Sequence, residues 1–168
     1  MIHRTGLFAA VVLAGCGSKS EEGVPPRDLP ALTGRVVDTA DLLTPDEEGL
    51  LTRELAASEK KTRAQFVVVT LPSLGGRRIE DVGVELGRKW GIGRRDIDDG
   101  VMLIVAPTER KVRIEVAYGL EGVLRDEEAK AIITDHIMPR FKQGDMAGGV
   151  MAGSTAIIRE IDVPGATP

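Results

Sequence analysis

Two stretches of the chain are apolar without interruption and too short for helices. Gln65 to Leu71 (QFVVVTL) contains a β-branched run, and Val101 to Ala106 (VMLIVA) is apolar throughout; both read as strands buried on two faces. Lys111 to Ala117 alternates instead, with Val112, Ile114 and Val116 on one side. With the turn signal Pro107-Thr108-Glu109-Arg110 before it, this predicts a β-hairpin. Between the two apolar runs, Ile79, Val82, Leu86 and Trp90 recur at +3, +4 and +4, the stripe of an amphipathic helix that Gly91 and Gly93 then break. Trp90 is read as a core residue of that stripe. Upstream, Thr44-Pro45-Asp46-Glu47 combines a capping box with proline at the first helical position. It starts a helix that runs to about Thr62 with Leu51 and Leu55 on its inner face. Ala129, Ile132, Ile133 and Ile137 mark a third helix and Val150, Ile157, Ile158 and Ile161 a fourth, separated by Pro139 to Asp145. A short strand at Arg35 to Val37 comes first.

The order is therefore β-α-β-α-β-β-α-α. Buried strands alternating with helices predict an α/β fold, a three-layer α/β/α sandwich around a small mixed sheet, in which the two apolar strands are parallel through a right-handed crossover. The hairpin turn also sets an antiparallel register in which paired residue numbers sum to about 217, so Asp99 falls opposite Tyr118. The loop from Tyr118 to Asp126 then leaves the sheet beside Asp98 and Asp99, and four acidic groups (Asp98, Asp99, Glu121 and Asp126) can converge. Clustered carboxylates repel, and a hard cation such as Ca²⁺ or Mg²⁺ with oxygen ligands is the usual reason for their proximity. The simpler alternative is that acidic residues favour turns and helix N-termini, Asp126 especially.

Ahead of this region lies a leader. Met1 to Arg4 is positive, Gly6 to Leu13 is apolar, and Leu13-Ala14-Gly15-Cys16 follows, the plan of a secretory signal too short to span a bilayer. The last four residues resemble the lipobox of bacterial lipoproteins, which implies cleavage after Gly15 and acylation of Cys16. By the same resemblance Gly17, rather than Asp, after the cysteine favours the outer membrane where the cell has one, and the mature protein would face the periplasm or exterior. Gly17 to Thr33 has three prolines and no periodicity and reads as a tether. The expected plan is a signal peptide at 1–15, a lipidated cysteine and flexible tether at 16–34, one domain at 35–162 and a short disordered tail at 163–168.

Composition narrows the chemistry. The 168 residues are 42% hydrophobic and 29% charged, as in one ordinary domain, and the net charge is −4. An acidic chain with one Trp, one Tyr and three Phe has neither the positive field nor the stacking platform of a nucleic-acid binder. One cysteine and two histidines argue against a zinc site of the usual kind. No GxxxxGK[ST] or GxGxxG is present, so no nucleotide cofactor is expected. Asp96-x-Asp98 begins like an EF-hand loop, but Val101 stands where its glycine belongs and Pro107 where its glutamate belongs. His136 lies on the apolar stripe of the third helix and is read as a partly buried structural histidine, and no serine has a nucleophile-elbow context.

Five segments in order then carry a family resemblance. Val37 to Thr44 (VDTADLLT), Lys89 to Gly93 (KWGIG), Asp98 to Val105 (DDGVMLIV), Arg113 to Gly122 (RIEVAYGLEG) and Phe141 to Asp145 (FKQGD) resemble the successive signatures of the TPM domain family. The resemblance implies a mixed sheet between helices, an exported or membrane-tethered protein, divalent-cation binding, and an attributed acid-phosphatase activity. Carried over by position, the cation ligands would be Asp38, Asp99 and Asp126, with Asp98 adjacent and Glu121 a possible further ligand. Asp99 stands where Asn is frequent in the family, and Arg125 where a small hydroxyl often precedes the helix aspartate. Two functions follow as expectations. One is a cation-stabilised adaptor, anchored at Cys16, that assists assembly or maintenance of an envelope protein partner. The other is a metal-dependent phosphatase in which Asp38, Asp98, Asp99 and Asp126 hold the ion; against it, no Arg or Lys in the acidic loops is an evident phosphate clamp, and Arg94, Arg95 and Arg125 are candidates without specificity.

Overall fold

The computed structural model describes residues 29–162; the leader, Cys16, most of the tether and the tail lie outside the described residues. The elements are β1 (Val36–Asp38), α1 (Pro45–Thr62), β2 (Gln65–Thr70), α2 (Ile79–Trp90), β3 (Gly100–Ala106), β4 (Lys111–Val116), α3 (Asp126–Ile132), α4 (Met138–Lys142) and α5 (Met146–Ile161). They form one four-stranded sheet in the order β1-β2-β3-β4, parallel across the first three strands and antiparallel at β4. The expected α/β class, mixed sheet and order of elements are all present. β1 begins one residue later than expected, at Val36.

β3 explains the layering. All seven of its residues are buried, and alternate side chains enter two separate cores. Val101, Leu103 and Val105 join Phe66 and Val68 beneath α1, α3 and α5, whereas Met102 and Ile104 join Val67, Val69 and Leu86 beneath α2. A strand with helices on both faces must be apolar at every position, which is why its sequence lacks alternation. β4 is an edge strand, and only Ile114 is buried there. Its register with β3 pairs Val101 with Val116 and Ala106 with Lys111, as the turn chemistry predicted. At that turn the Arg110 amide donates to the Pro107 carbonyl at 3.1 Å.

α1 starts where expected. The Glu47 amide donates to Thr44 Oγ1 at 3.3 Å and the Thr44 amide to Glu47 Oε2 at 2.8 Å, closing the capping box, and Leu51 and Leu55 are fully buried. The third helix departs from expectation. It continues through a π-helical stretch, Ile133–Ile137, into α4, so only residues 143–145 separate it from α5. Pro139 cannot donate an amide to the preceding turn, and the wider π turn ahead of it accommodates that loss. The extra residue rotates the helix face. Ile137 is buried, as the stripe predicts, and His136 is exposed, which corrects the expectation of a partly buried histidine.

No helix among the described residues is long and apolar enough to cross a membrane. At the end of the sheet where the parallel strands finish, Glu109 ties the hairpin turn to the loop after β2. It accepts the Ser73 hydroxyl at 2.6 Å and the Leu74 amide at 2.8 Å. Burial opposes its ionisation, but these two donors, its own backbone amide and the charge of Lys111 together outweigh burial and hold its carboxyl below the usual range.

Thr44→Ala removes the cap acceptor and is expected to lower the unfolding free energy by about 1 kcal/mol in urea denaturation. A folded-state carboxyl with a depressed pKa contributes stability above its unfolded pKa and loses it as pH falls through the folded value. Glu109→Gln is therefore less stable than the parent at neutral pH, and the difference closes on acidification below the ordinary glutamate range.

Candidate functional site

The loops at the amino ends of the parallel strands are clasped together. The Ala117 amide donates to the Gly100 carbonyl at 2.8 Å and the Gly119 amide to the Asp98 carbonyl at 2.9 Å. Gly119 lies so close to the facing loop that a Cβ there would sit 2.0 Å from the Ile97 carbonyl oxygen. This position needs glycine for the space a missing side chain leaves. The backbone convergence expected from the hairpin register is thus present, and Asp98 and Tyr118 sit on adjoining ledges.

The side chains are distributed differently from the expected ligand set. Asp99 is fully buried. Its Oδ1 accepts the Arg94 amide at 2.7 Å, and its Oδ2 accepts the Arg94 Nε at 2.5 Å, with the guanidinium Nη2 also at 2.5 Å. Both oxygens serve to fold residues 94–99 into a closed loop, which the Asp99 carbonyl then joins to β2 by accepting the Gln65 amide at 2.9 Å. Asp98 is exposed, with φ of 53°, and Asp96 is exposed with φ of 73°. Both residues occupy the left-handed region, where aspartate is better tolerated than most side chains.

Asp38 is far from this group. It ends β1 opposite Thr70, which pairs with Val105, whereas Asp99 precedes Gly100 at the start of β3. The two carboxylates are therefore separated along the sheet by on the order of 20 Å, six residues of extended strand. Asp38 instead folds the loop that leads into α1, where its Oδ2 accepts the Leu43 amide at 2.8 Å and its Oδ1 accepts the Thr70 hydroxyl. Asp126 is the exposed first residue of α3 and Glu121 is exposed in the loop before it, where an acidic residue favours the helix N-terminus. Among the described residues no three His, Cys, Asp or Glu side chains gather as a cation site. Asp38, Asp98, Asp99 and Asp126 do not fit one shared ion, because two are committed to loop closure and the sheet separates Asp38 from the rest.

The candidate phosphate clamps are largely engaged as well. Arg94 is held by Asp99, and Arg125 donates through Nη2 to Glu128 Oε1 at 2.7 Å and through Nε to Oε2 at 3.1 Å. That guanidinium holds the Glu128 carboxyl below its usual range. Arg95 alone of the three has an exposed side chain with no partner among the described residues. Tyr118 carried no signal in the sequence beyond its place in a motif. It is 82% exposed, yet it opens a short 3₁₀ turn between the two clasped residues Ala117 and Gly119, just ahead of the fully buried Leu120.

Comparison with known proteins accounts for this geometry at the level of the fold. The family model described as "TPM domain" matches residues 36–160. The chain belongs to the TPM domain family. Among solved structures, the N-terminal domain of a protein from P. gingivalis is 37% identical over 77% of this chain and 83% of its own, with a TM-score of 0.73. The BA42 protein of the psychrophilic bacterium Bizionia argentinensis shares the fold at 21% identity, covering 75% and 84% of the two chains, with a TM-score of 0.63. The N-terminal domain of cg2496 from Corynebacterium glutamicum shares it at 16% identity, covering 81% and 85%, with a TM-score of 0.60. No curated protein matches. These TPM residues now divide by role: Asp38 and Asp99 close loops, and Asp98 and Tyr118 face outward.

Removal of Asp99 leaves a half-buried guanidinium without its partner, a change that costs about 3–5 kcal/mol. Asp99→Ala is expected to lose this much in denaturant unfolding with EDTA and with Ca²⁺ alike. Asp98→Ala, an exposed change, shifts stability by less than about 1 kcal/mol.

Proposed function

We propose that the chain is an envelope-tethered adaptor, anchored through acylated Cys16, that presents the acidic end of its TPM domain to a protein partner. The observation that carries this reading is the exposed Tyr118 on a rigid ledge. The backbone beneath it is already clasped, which spares its ordering on docking, and tyrosine is a residue type enriched at interface hot spots. Its surroundings, Asp96, Asp98 and Glu121 against Arg95, a cation without a partner among the described residues, give the ledge a net acidic rim, suited to a partner surface carrying Lys or Arg.

A divalent cation, Ca²⁺ or Mg²⁺, is an ancillary ligand in this reading. Asp98 and Glu121 would hold it from the two clasped loops, with water completing the oxygen shell. Two carboxylates make a weak site, in the millimolar range typical of low-charge oxygen sites. When bound, the ion would neutralise the rim and cross-link the loops.

The mature chain provides the test. A photoreactive phenylalanine analogue at position 118 is expected to crosslink one envelope protein, and the same analogue at exposed Leu50 is expected to crosslink none. Millimolar Ca²⁺ raises the melting temperature, and the combined change Asp98→Asn with Glu121→Gln removes that rise. Ca²⁺- or Mg²⁺-stimulated hydrolysis of phosphomonoesters, lost in Asp98→Ala while folding is retained, would overturn the adaptor reading in favour of a phosphatase.

A further inference from the structure

The opposite end of the sheet carries a second surface, with chemistry of the other sign. Beyond Val105 and Ala106 a cleft of about 480 Å³ opens between the hairpin turn and α4. Its floor is apolar, with Met138, Phe141 and Met146, and its rim carries Arg110, Lys111 and Lys142. All three cations are exposed, and none has a hydrogen-bond or ion-pair partner among the described residues. The neighbouring carboxylates are occupied elsewhere. Glu109 is turned onto Ser73 and Leu74, and Asp145 caps α5 through the Gly148 amide and pairs with Arg140 at 3.0 Å. Glu109 keeps its negative charge beside Lys111, so the rim is a local excess of two positive charges on an acidic protein.

The Phe141–Asp145 signature is only partly explained by folding. Phe141 covers Gly149, where a Cβ would fall 2.3 Å from its ring, and Asp145 is the helix cap. Lys142 has no such structural role; it stands at the mouth of the cleft.

The path of the chain indicates what this end faces. Leu29, the first described residue, shares a cavity with Thr39 and Leu71 at this same end of the sheet, whereas Leu32 and Gly34 line a cleft with Gln65 and Ile92 at the acidic end. The segment between them is fastened to α2: Lys89 Nζ donates to the Leu29 carbonyl at 2.8 Å and Trp90 Nε1 to the Pro30 carbonyl at 3.1 Å. Leu29 is thus placed at the basic end. About 13 residues from Cys16 to Asp28 reach at most ~45 Å, so an anchor at Cys16 would hold Leu29 within that distance of the bilayer.

We propose that the cleft binds an anionic phospholipid of the anchoring membrane. The lipid phosphate would pair with Arg110, Lys111 and Lys142, and the upper part of an acyl chain would lie against Met138, Phe141 and Met146. Methionine-rich floors adapt to flexible apolar chains, and cations near a membrane surface favour anionic lipid. The lipid is a second contact beside the acyl anchor, which alone leaves a domain free to rotate. Such a contact would turn the acidic ledge away from the membrane. This orientation draws on the anchor reading, whereas lipid binding by the cleft does not.

The mature chain with Cys16→Ser, which has no acyl group, keeps the two separable. It is expected to bind vesicles of phosphatidylcholine with 30% phosphatidylglycerol and to ignore pure phosphatidylcholine. Arg110→Gln with Lys142→Gln, two exposed changes, should weaken that binding roughly 30-fold, at about 1 kcal/mol per basic residue. Dihexanoyl phosphatidylglycerol below its micelle concentration is expected to shift the methyl NMR signals of Met138 and Met146 in the parent but not in the double variant. Glycerol phosphate, which has the headgroup without the chain, should leave those methyls unmoved. Equal vesicle binding by the double variant, unmoved methionine methyls with the short-chain lipid, or the same shifts with dihexanoyl phosphatidylcholine would overturn the proposal. So would methyl shifts produced only by a peptide with an apolar C-terminal residue, which would make the cleft a polypeptide site.

Discussion

The architecture depends on β3 being enclosed on every side. It has β2 and β4 along its two edges and helical layers over its two faces, and no polar side chain fits within it. A buried strand of this kind satisfies its backbone through its neighbours and its side chains through apolar contact alone. Polar chemistry is then confined to the two ends of the sheet, where backbone leaves the strands and loops begin. At the amino end the transition is made by a buried carboxylate, Asp99, neutralised by Arg94. At the other it is made by Glu109, held by a hydroxyl and an amide. Each group is costly to bury alone and tolerable only because its partners are fixed by the loop it closes.

Much of this was legible in the sequence because it follows from short-range physics. An uninterrupted apolar run can only be a doubly covered strand or a buried helix, and its length decides between them; Val101 to Ala106 is resolved on that basis. The Pro107–Arg110 turn sets the register, and register places Asp98 beside Gly119 without further information. The fate of the individual carboxylates was not legible. Register positions a backbone, but Asp99 points inward because a guanidinium five residues earlier closes on it, and no periodicity encodes that choice. Asp38 was grouped with the others by resemblance of sequence segments, yet a motif has no spatial coordinate, and the parallel topology places it at the far end. The exposed His136 was missed for a third reason. His136 and Ile137 stand at +7 and +8 from Ala129, both compatible with the stripe, and the π turn ahead of Pro139 turns Ile137 inward and leaves His136 outside.

The same enclosure confines charge to the two ends of the sheet, and both ends are mixed. Asp96, Asp98, Glu121 and Asp126 lie with exposed Arg63 and Arg95 at the amino end, and Arg110, Lys111 and Lys142 line one cleft at the carboxyl end, where Asp41 and Asp46 at the entry to α1 are also exposed. A net charge of −4 is therefore compatible with one locally basic cleft, and beside an anionic bilayer each cation of such a cleft contributes on the order of 1 kcal/mol. The segment fastened along α2 spans both ends, with Leu29 beside Thr39 and Leu71 and Leu32 beside Gln65 and Ile92. The exposed Tyr118 and the basic cleft therefore share one origin: a sheet apolar on both faces leaves polar and exposed aromatic groups room only at its ends.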